Sequence, residues 1–317
     1  MIAVLGECVA DAFADRLPGE LALRVLPGGG PSNTAVALAR LGTPCRFLGR
    51  LSDDVFGALF RERMAASGVD LSACVTAREP STLAVATLDA EGQARYSFHA
   101  EGTADWGWSA AELSDDRLGG ASCLHTGSLA LVREPGASTV AAFAGRAAAT
   151  VSIDPNVRPS LASREDYLSR LPQWCALTDI LKLSADDLAF LMPDVPTALA
   201  CEHLHAAGAR LVVVTSGAAG ALVSLDGAMA TVPAVPVKVV DTVGAGDSFT
   251  AGLLHRLESR GLLGGRLDGL DLASAADAAA FGAEVAALTC AVAGADPPWA
   301  DQLTPAPHDD TEAPASR

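Results

Sequence analysis

The sequence predicts an α/β protein: a doubly wound, mostly parallel sheet flanked by helices, with a small β-strand lid. Short β-branched or apolar runs alternate with Ala- and Leu-rich stretches of helical length, the pattern that crossover connections turn into a parallel sheet. Two stretches, 12–27 and 81–101, break that rhythm and show no helical period. The chain has 317 residues, half of them hydrophobic, so one large core can be built.

In chain order, IAVLG at 2–6 reads as the first strand, and Asp11 follows it at the carboxyl end, where open α/β sheets bind ligands. A Gly-rich turn at 28–30 feeds a helical stretch, and CRFLG at 45–49 is the next strand. STLAVATLDAEGQARYSFHA (81–100) reads as two strands joined by a Glu91-Gly92 turn, a hairpin standing off the main sheet. With 12–27 it makes the lid. ATVSID (149–154), DILKLS (179–184) and RLVVVTSG (210–217) complete the strands recognised here. Ala-rich 272–293, apolar nearly all round but broken by Asp277 and Glu284, fits a helix packed closely on a sheet. One domain over 1–303 is expected, followed at 304–317 by a Pro- and acid-rich tail predicted to be disordered.

Composition excludes several classes. A formal charge of −16 repels phosphate backbones and anionic lipid, and no basic patch offsets it, so neither nucleic acid nor membrane is an expected partner. The N-terminal residues lack a basic region and carry Glu7, Asp11 and Asp15, so a cytoplasmic location is expected. Seven scattered cysteines without a C-x-x-C pair suggest small core residues rather than zinc ligands or disulfides. Of the two lysines, Lys182 and Lys238, neither lies in a Walker loop, so any nucleotide is expected to be held by backbone amides and arginines.

The strongest chemical signal is VVDTVGAGDSFTAGLLHRL, 239–257. Gly244, Ala245 and Gly246 offer backbone N–H groups at a helix N-terminus, a ready anion site, and Asp247 beside them can accept a hydroxyl proton. The bland alternative makes Asp247 a helix cap. In PGGGPSNTAVALARLG (27–42), Gly28, Gly29 and Gly30 allow positive φ and close approach of a ligand, and Asn33 supplies an amide that can bond two hydroxyls, or else caps the helix entry.

Those two stretches resemble the C-terminal and N-terminal signatures of the ribokinase-like (PfkB) carbohydrate kinases, spaced by roughly the usual 200 residues, and weaker similarity covers about 1–300. The resemblance implies a ribokinase-like fold and ATP-dependent phosphorylation of a sugar hydroxyl, with Asp247 as base and 244–246 holding the phosphoryl group. It implies Mg²⁺, and K⁺ near the Asp241–Thr242 backbone. Asp11, Gly28, Gly29, Asn33 and Phe98 are then sugar contacts. Arg158, in SIDPNVRPSL (152–161), orients substrate or braces Asp154. KLSADDLAFL (182–191) stands where relatives carry N-x-x-E, with Ser184 and Asp187 in those places, so Asp187 is expected to reach the metal through water or merely to sit in a capped first turn. Ser184, Thr215, Gly217, Gly220 and Gly246 are expected beside ATP, with apolar residues near Ala283 to Ala295 closing the adenine pocket. EGTADW (101–106) resembles fructokinase-like members, but His99-Ala100 replace their usual Tyr-Arg, which favours a neutral sugar, with fructose first and the sugar acid 2-keto-3-deoxygluconate or ribose behind it. A nucleoside kinase would need stacking by Tyr96, Phe98 or Trp106. A sugar-binding regulator without chemistry is the other class, and intact Asp247 argues against it. A homodimer clasped through the lid is expected, because exposed strand edges are usually covered.

Overall fold

A computed structural model of the chain describes residues 1–88 and 94–303, so the expected Glu91-Gly92 turn and the tail at 304–317 lie outside the described residues. In chain order the elements are β1 (Ile2–Leu5), β2 (Val9–Leu17), β3 (Glu20–Gly28), α1 (Gly30–Arg40), β4 (Cys45–Leu48), β5 (Arg50–Ser52) and α2 (Val55–Ala66). There follow β6 (Val75–Ala77), β7 (Thr82–Leu88), β8 (Ala94–His99), β9 (Cys123–Gly127), α3 (Gly136–Gly145), β10 (Thr150–Asp154), α4 (Arg164–Leu177) and β11 (Ile180–Ser184). The chain continues through α5 (Ala185–Leu191), α6 (Thr197–Ala206), β12 (Leu211–Thr215), β13 (Ala221–Leu225), β14 (Ala228–Val232), α7 (Ala245–Ser259) and α8 (Leu272–Cys290).

Eight strands form the central sheet in the order β14-β13-β12-β11-β10-β9-β1-β4. From β12 to β4 every pairing is parallel, and β13 and β14 add an antiparallel edge. Strands β9 and β10 are buried on both faces, as expected where helices cover a parallel sheet on both sides. One face, with Val4, Ile180, Leu211 and Val213, packs against α1, α7 and α8. The other, with Leu5, Ile153, Leu181 and Val212, packs against α3, α4, α5 and α6. Helix α8 is long and apolar enough to cross a membrane by length and composition alone, yet Ala275, Ala278, Ala279 and Val285 on it are buried in the core. It meets α7 closely, since a Cβ on Gly252 would come within 2.7 Å of Gly282 Cα. The cysteines are free; five are buried and Cys74 and Cys290 half-buried.

The lid is a four-stranded sheet in the order β3-β2-β7-β8, with β2 and β7 parallel. It begins at Val9, three residues before the predicted start. That shifts Asp11: rather than leaving the first strand in a turn, it lies within β2, opposite Leu26 and Ala84. Pro27 is tolerated because β3 is an edge strand. A further departure is β9, which the sequence reading passed over because CLHTG mixes two apolar residues with His125 and Thr126.

Candidate active site

The carboxyl ends of β1, β9, β10, β11 and β12, the first turns of α1 and α7, and the inner face of the lid surround a cavity of about 800 Å³. Asp11, Asn33, Phe98, Arg158, Ser184, Asp187, Thr215, Gly217 and the 244–247 turn all line it. The structure therefore brings together residues spread over more than 200 positions. Gly28 and Gly220 serve beside it. A Cβ on Gly28 would lie 2.0 Å from Asp11 Oδ2, so glycine there leaves the carboxylate its place.

Helix α7 opens at Ala245, with Gly244 as its N-cap in the left-handed region at φ 77°. Asp247 is thus the third helical residue, not the cap. Its Oδ2 accepts a 2.9 Å hydrogen bond from Asn33 Nδ2, while Oδ1 would stand 3.2 Å from a Cβ on Gly30. Asn33 accordingly serves α1 less as a cap than as a support for this carboxylate. Burial pushes the Asp247 carboxyl above its ordinary range; the Asn33 bond and the charges of Lys182 and Arg158 oppose this, and Asp154 adds to it. Of the first-turn amides, Ala245 N–H is committed to Thr242 O at 3.2 Å. The N–H groups of Gly244, Gly246 and Asp247 have no hydrogen-bond partner among the described residues. The open amides therefore differ from the expected 244–246 set in one member, Asp247 standing where Ala245 was expected.

Lys182 was missed as a site residue by sequence reasoning. Its Nζ donates to Asp154 Oδ2 at 2.8 Å, both side chains being buried. The pairing of Arg158 with Asp154 considered above is not formed; Arg158 is exposed and donates to the carbonyls of Asn156 and Val157. Only register could have revealed Lys182, because β10 and β11 run in parallel and set it beside Asp154.

Ser184 and Asp187 form a reciprocal capping box at the start of α5. Asp187 Oδ2 accepts from Ser184 N at 2.8 Å and Ser184 Oγ at 2.6 Å, and Oδ1 from Val157 N at 2.8 Å. Three donors leave about one of its four lone-pair sites open. The neighbouring Asp186 is exposed and also lines the cavity, with no donor to its carboxylate among the described residues. Asp241 lies outside the cavity lining and ties its loop together, accepting from Val243 N at 3.1 Å and Gly294 N at 2.8 Å.

At the lid end, burial raises the Asp11 carboxyl to about 6 against the opposing charge of Arg158. Glu7, just after β1, is 2% exposed, its Oε2 has no partner, and burial raises it to about 7. Asp105 is also buried and raised to about 6; it accepts from Cys8 N at 2.9 Å and Thr82 Oγ1 at 2.6 Å. Trp106 is buried with Nε1 donating to Ala100 O, which removes it from the stacking candidates. The Tyr96 side chain lies outside the described residues, and Phe98 lines the cavity.

Thr215, Gly217, Ala245 and Gly246 also line an adjoining apolar cavity of about 520 Å³, shared with Gly220, Val235, Phe249, Ala283, Ala286 and Cys290. A flat, largely apolar group fits there, its charged end facing α7 in the first cavity.

Comparison with known proteins gives a consistent picture. The sequence profile described as pfkB family carbohydrate kinase matches residues 1–302. A fructokinase of Rhizobium leguminosarum bv. trifolii is 40% identical over 266 residues, covering 81% of this chain and 80% of its own. A fructokinase from Xylella fastidiosa with bound ATP superimposes with a TM-score of 0.85 at 30% identity, over 93% of each chain. The Vibrio cholerae O395 fructokinase in its fructose-, ADP- and calcium-ion-bound form gives 0.77 at 27% identity, over 93% of this chain and 94% of its own.

Proposed function

We propose, given that the chain belongs to the pfkB family of carbohydrate kinases, that it phosphorylates fructose with ATP. The observation that carries this reading is the Asp247 carboxylate, held by Asn33 in the first turn of α7 and beside the unpartnered amides of that turn. A proton acceptor and a grip for a phosphoryl group are thereby adjacent.

In the reaction, the attacking hydroxyl oxygen of the sugar forms a bond to the γ-phosphorus. The bond from that phosphorus to the β–γ bridging oxygen breaks, ADP leaves, and Asp247 takes the hydroxyl proton. The amides of Gly244, Gly246 and Asp247 hold the phosphoryl oxygens at the positive end of α7. Asp11, Asn33 and Phe98 contact the sugar beneath the lid, with Gly28 and Gly29 shaping the turn; Gly29, at φ 100°, approaches Glu7 O too closely for any side chain. Arg158 orients substrate or phosphate oxygens. Thr215, Gly217, Gly220 and Ser184 flank ATP, and the apolar cavity takes the base. The donor set suits a Mg²⁺ held through water: Asp187, with one lone pair open, and Asp186, whose carboxylate accepts no donor among the described residues, would hold it. When bound, the metal neutralises phosphate charge. K⁺ near the Asp241 loop belongs to the same reading, as do a cytoplasmic location and a lid-clasped homodimer.

Fructose is favoured over an acidic sugar because the carboxyl groups of Glu7 and Asp11 line the lid end and His99 is exposed on the lid. Phosphotransfer assays over fructose, ribose, 2-keto-3-deoxygluconate and a purine nucleoside test it. Fructose should have the highest kcat/KM, and higher efficiency with any of the others would replace it.

A further inference from the structure

The chain has two lysines, and they occupy opposite environments. Lys238 is exposed in the loop before α7, whereas Lys182 is 3% exposed in the middle of the central sheet. Its ammonium lies against the first turn of α7: a Cβ on Gly246 would stand 3.0 Å from Nζ, so glycine at 246 is what admits it. A cation at a helix N-terminus meets the positive end of the dipole, an unfavourable placement unless anions share the spot. Asp154 is one such anion at 2.8 Å, and Asp187 and Asp247 also face the ammonium. Burial opposes its charge, the three carboxylates outweigh burial, and the group stays protonated above its ordinary range. The next anion to arrive at that turn would be the terminal phosphate of the nucleotide.

We propose that Lys182 is a further catalytic residue, whose ammonium contacts the phosphoryl group in transfer while Asp154 aims it. This rests on the kinase reading above. No new covalent step is involved: the ammonium keeps its three protons and neutralises charge on the phosphoryl oxygens as the bond to ADP breaks. The competing explanation is that Lys182 and Asp154 are only a buried brace, and such pairs can be replaced by neutral residues without loss.

Two variants decide it: Lys182→Met, and the double variant Lys182→Met/Asp154→Asn, which removes the stranded carboxylate as well. ADP and the non-hydrolysable triphosphate AMP-PNP are titrated calorimetrically, kcat is measured with fructose, and Tm is recorded. Lys182→Met should bind AMP-PNP at least about tenfold more weakly while ADP affinity moves by no more than about twofold, because only the triphosphate reaches the ammonium. Turnover should fall about 10²–10³-fold, as for loss of one oxyanion donor. The double variant should recover Tm but neither turnover nor AMP-PNP affinity. Recovery of turnover by the double variant, or equal weakening of ADP and AMP-PNP, overturns the assignment in favour of the brace. The nucleotide titrations need no sugar, so a wild-type protein inactive on fructose that still shows the selective AMP-PNP loss would refute the sugar and leave Lys182 in place.

Discussion

Asp247 has two features that a helix cap does not need: burial that favours its protonated form, and a dedicated donor from another helix, Asn33. A carboxylate so held is a stronger base than a solvated one. Asp247→Asn can still accept from Asn33, so Tm should hold and ATP affinity should survive, while kcat falls about 10²–10⁴-fold. Near-normal turnover on the true sugar would return Asp247 to a structural role. Asp11 makes a different prediction, because it reaches the cavity from the lid. Asp11→Ala should raise the KM for fructose at least about tenfold, the loss of a charged hydrogen bond, and leave the KM for ATP nearly unchanged. Parallel shifts in both would contradict the division of the cavity into a lid end and an α7 end. Both aspartates were legible in the sequence as candidates, Asp247 from its glycine-rich motif and Asp11 from its place after the first strand. Lys182 and Glu7 were not, since their significance comes from partners brought close by register and by the fold: Asp154 for one, Ser128, Asp105 and Arg158 for the other.

At the scale of elements, the entries to α1 and α7 were readable from glycine-rich turns, whose conformational demand is local, although α7 begins at Ala245, two residues before the Asp247 start that the sequence suggests. The lid was readable as interrupted helical rhythm, but its start was not, because only three residues separate β2 from β1, whose residues are all apolar and buried. The outer face of that lid gives a test. Leu21 and Leu23 on β3 are 58% and 44% exposed and share a face with Val25. In the proposed lid clasp a second copy of the chain would cover them, so Leu21→Asp/Leu23→Asp should then convert a dimer to a monomer in light scattering. A monomeric wild-type protein with full activity would dispose of the clasp.

For the molecule as a whole, the buried acids at the lid end set a pH dependence. Glu7 is raised from 4.5 to about 7, and Asp11 and Asp105 from 3.8 to about 6. Between those pairs of values the unfolded chain has released protons that the folded chain keeps. These groups therefore favour folding fully below about pH 4, and the advantage is lost as pH rises toward 7. Glu7→Gln, which cannot ionise, should escape its share: relative to wild type its stability should rise by roughly 2–4 kcal/mol between pH 4.5 and 8. Calorimetric scans showing a constant gap across that range would remove Glu7 from the account. The helix-covered, mostly parallel sheet follows from an alternation any reader of the chain could see, but its strand order does not, since β9 lies inside it between β10 and β1. The charge pattern inside does not, because it depends on which strands are neighbours. One of those acids has a mechanical consequence too. Asp105 holds Cys8, at the entrance to β2, with one oxygen and Thr82, at the start of β7, with the other. The two halves of the lid are therefore anchored at one carboxylate as well as paired to each other, so any displacement of the lid would carry Asp11 and Phe98, one from each half, together.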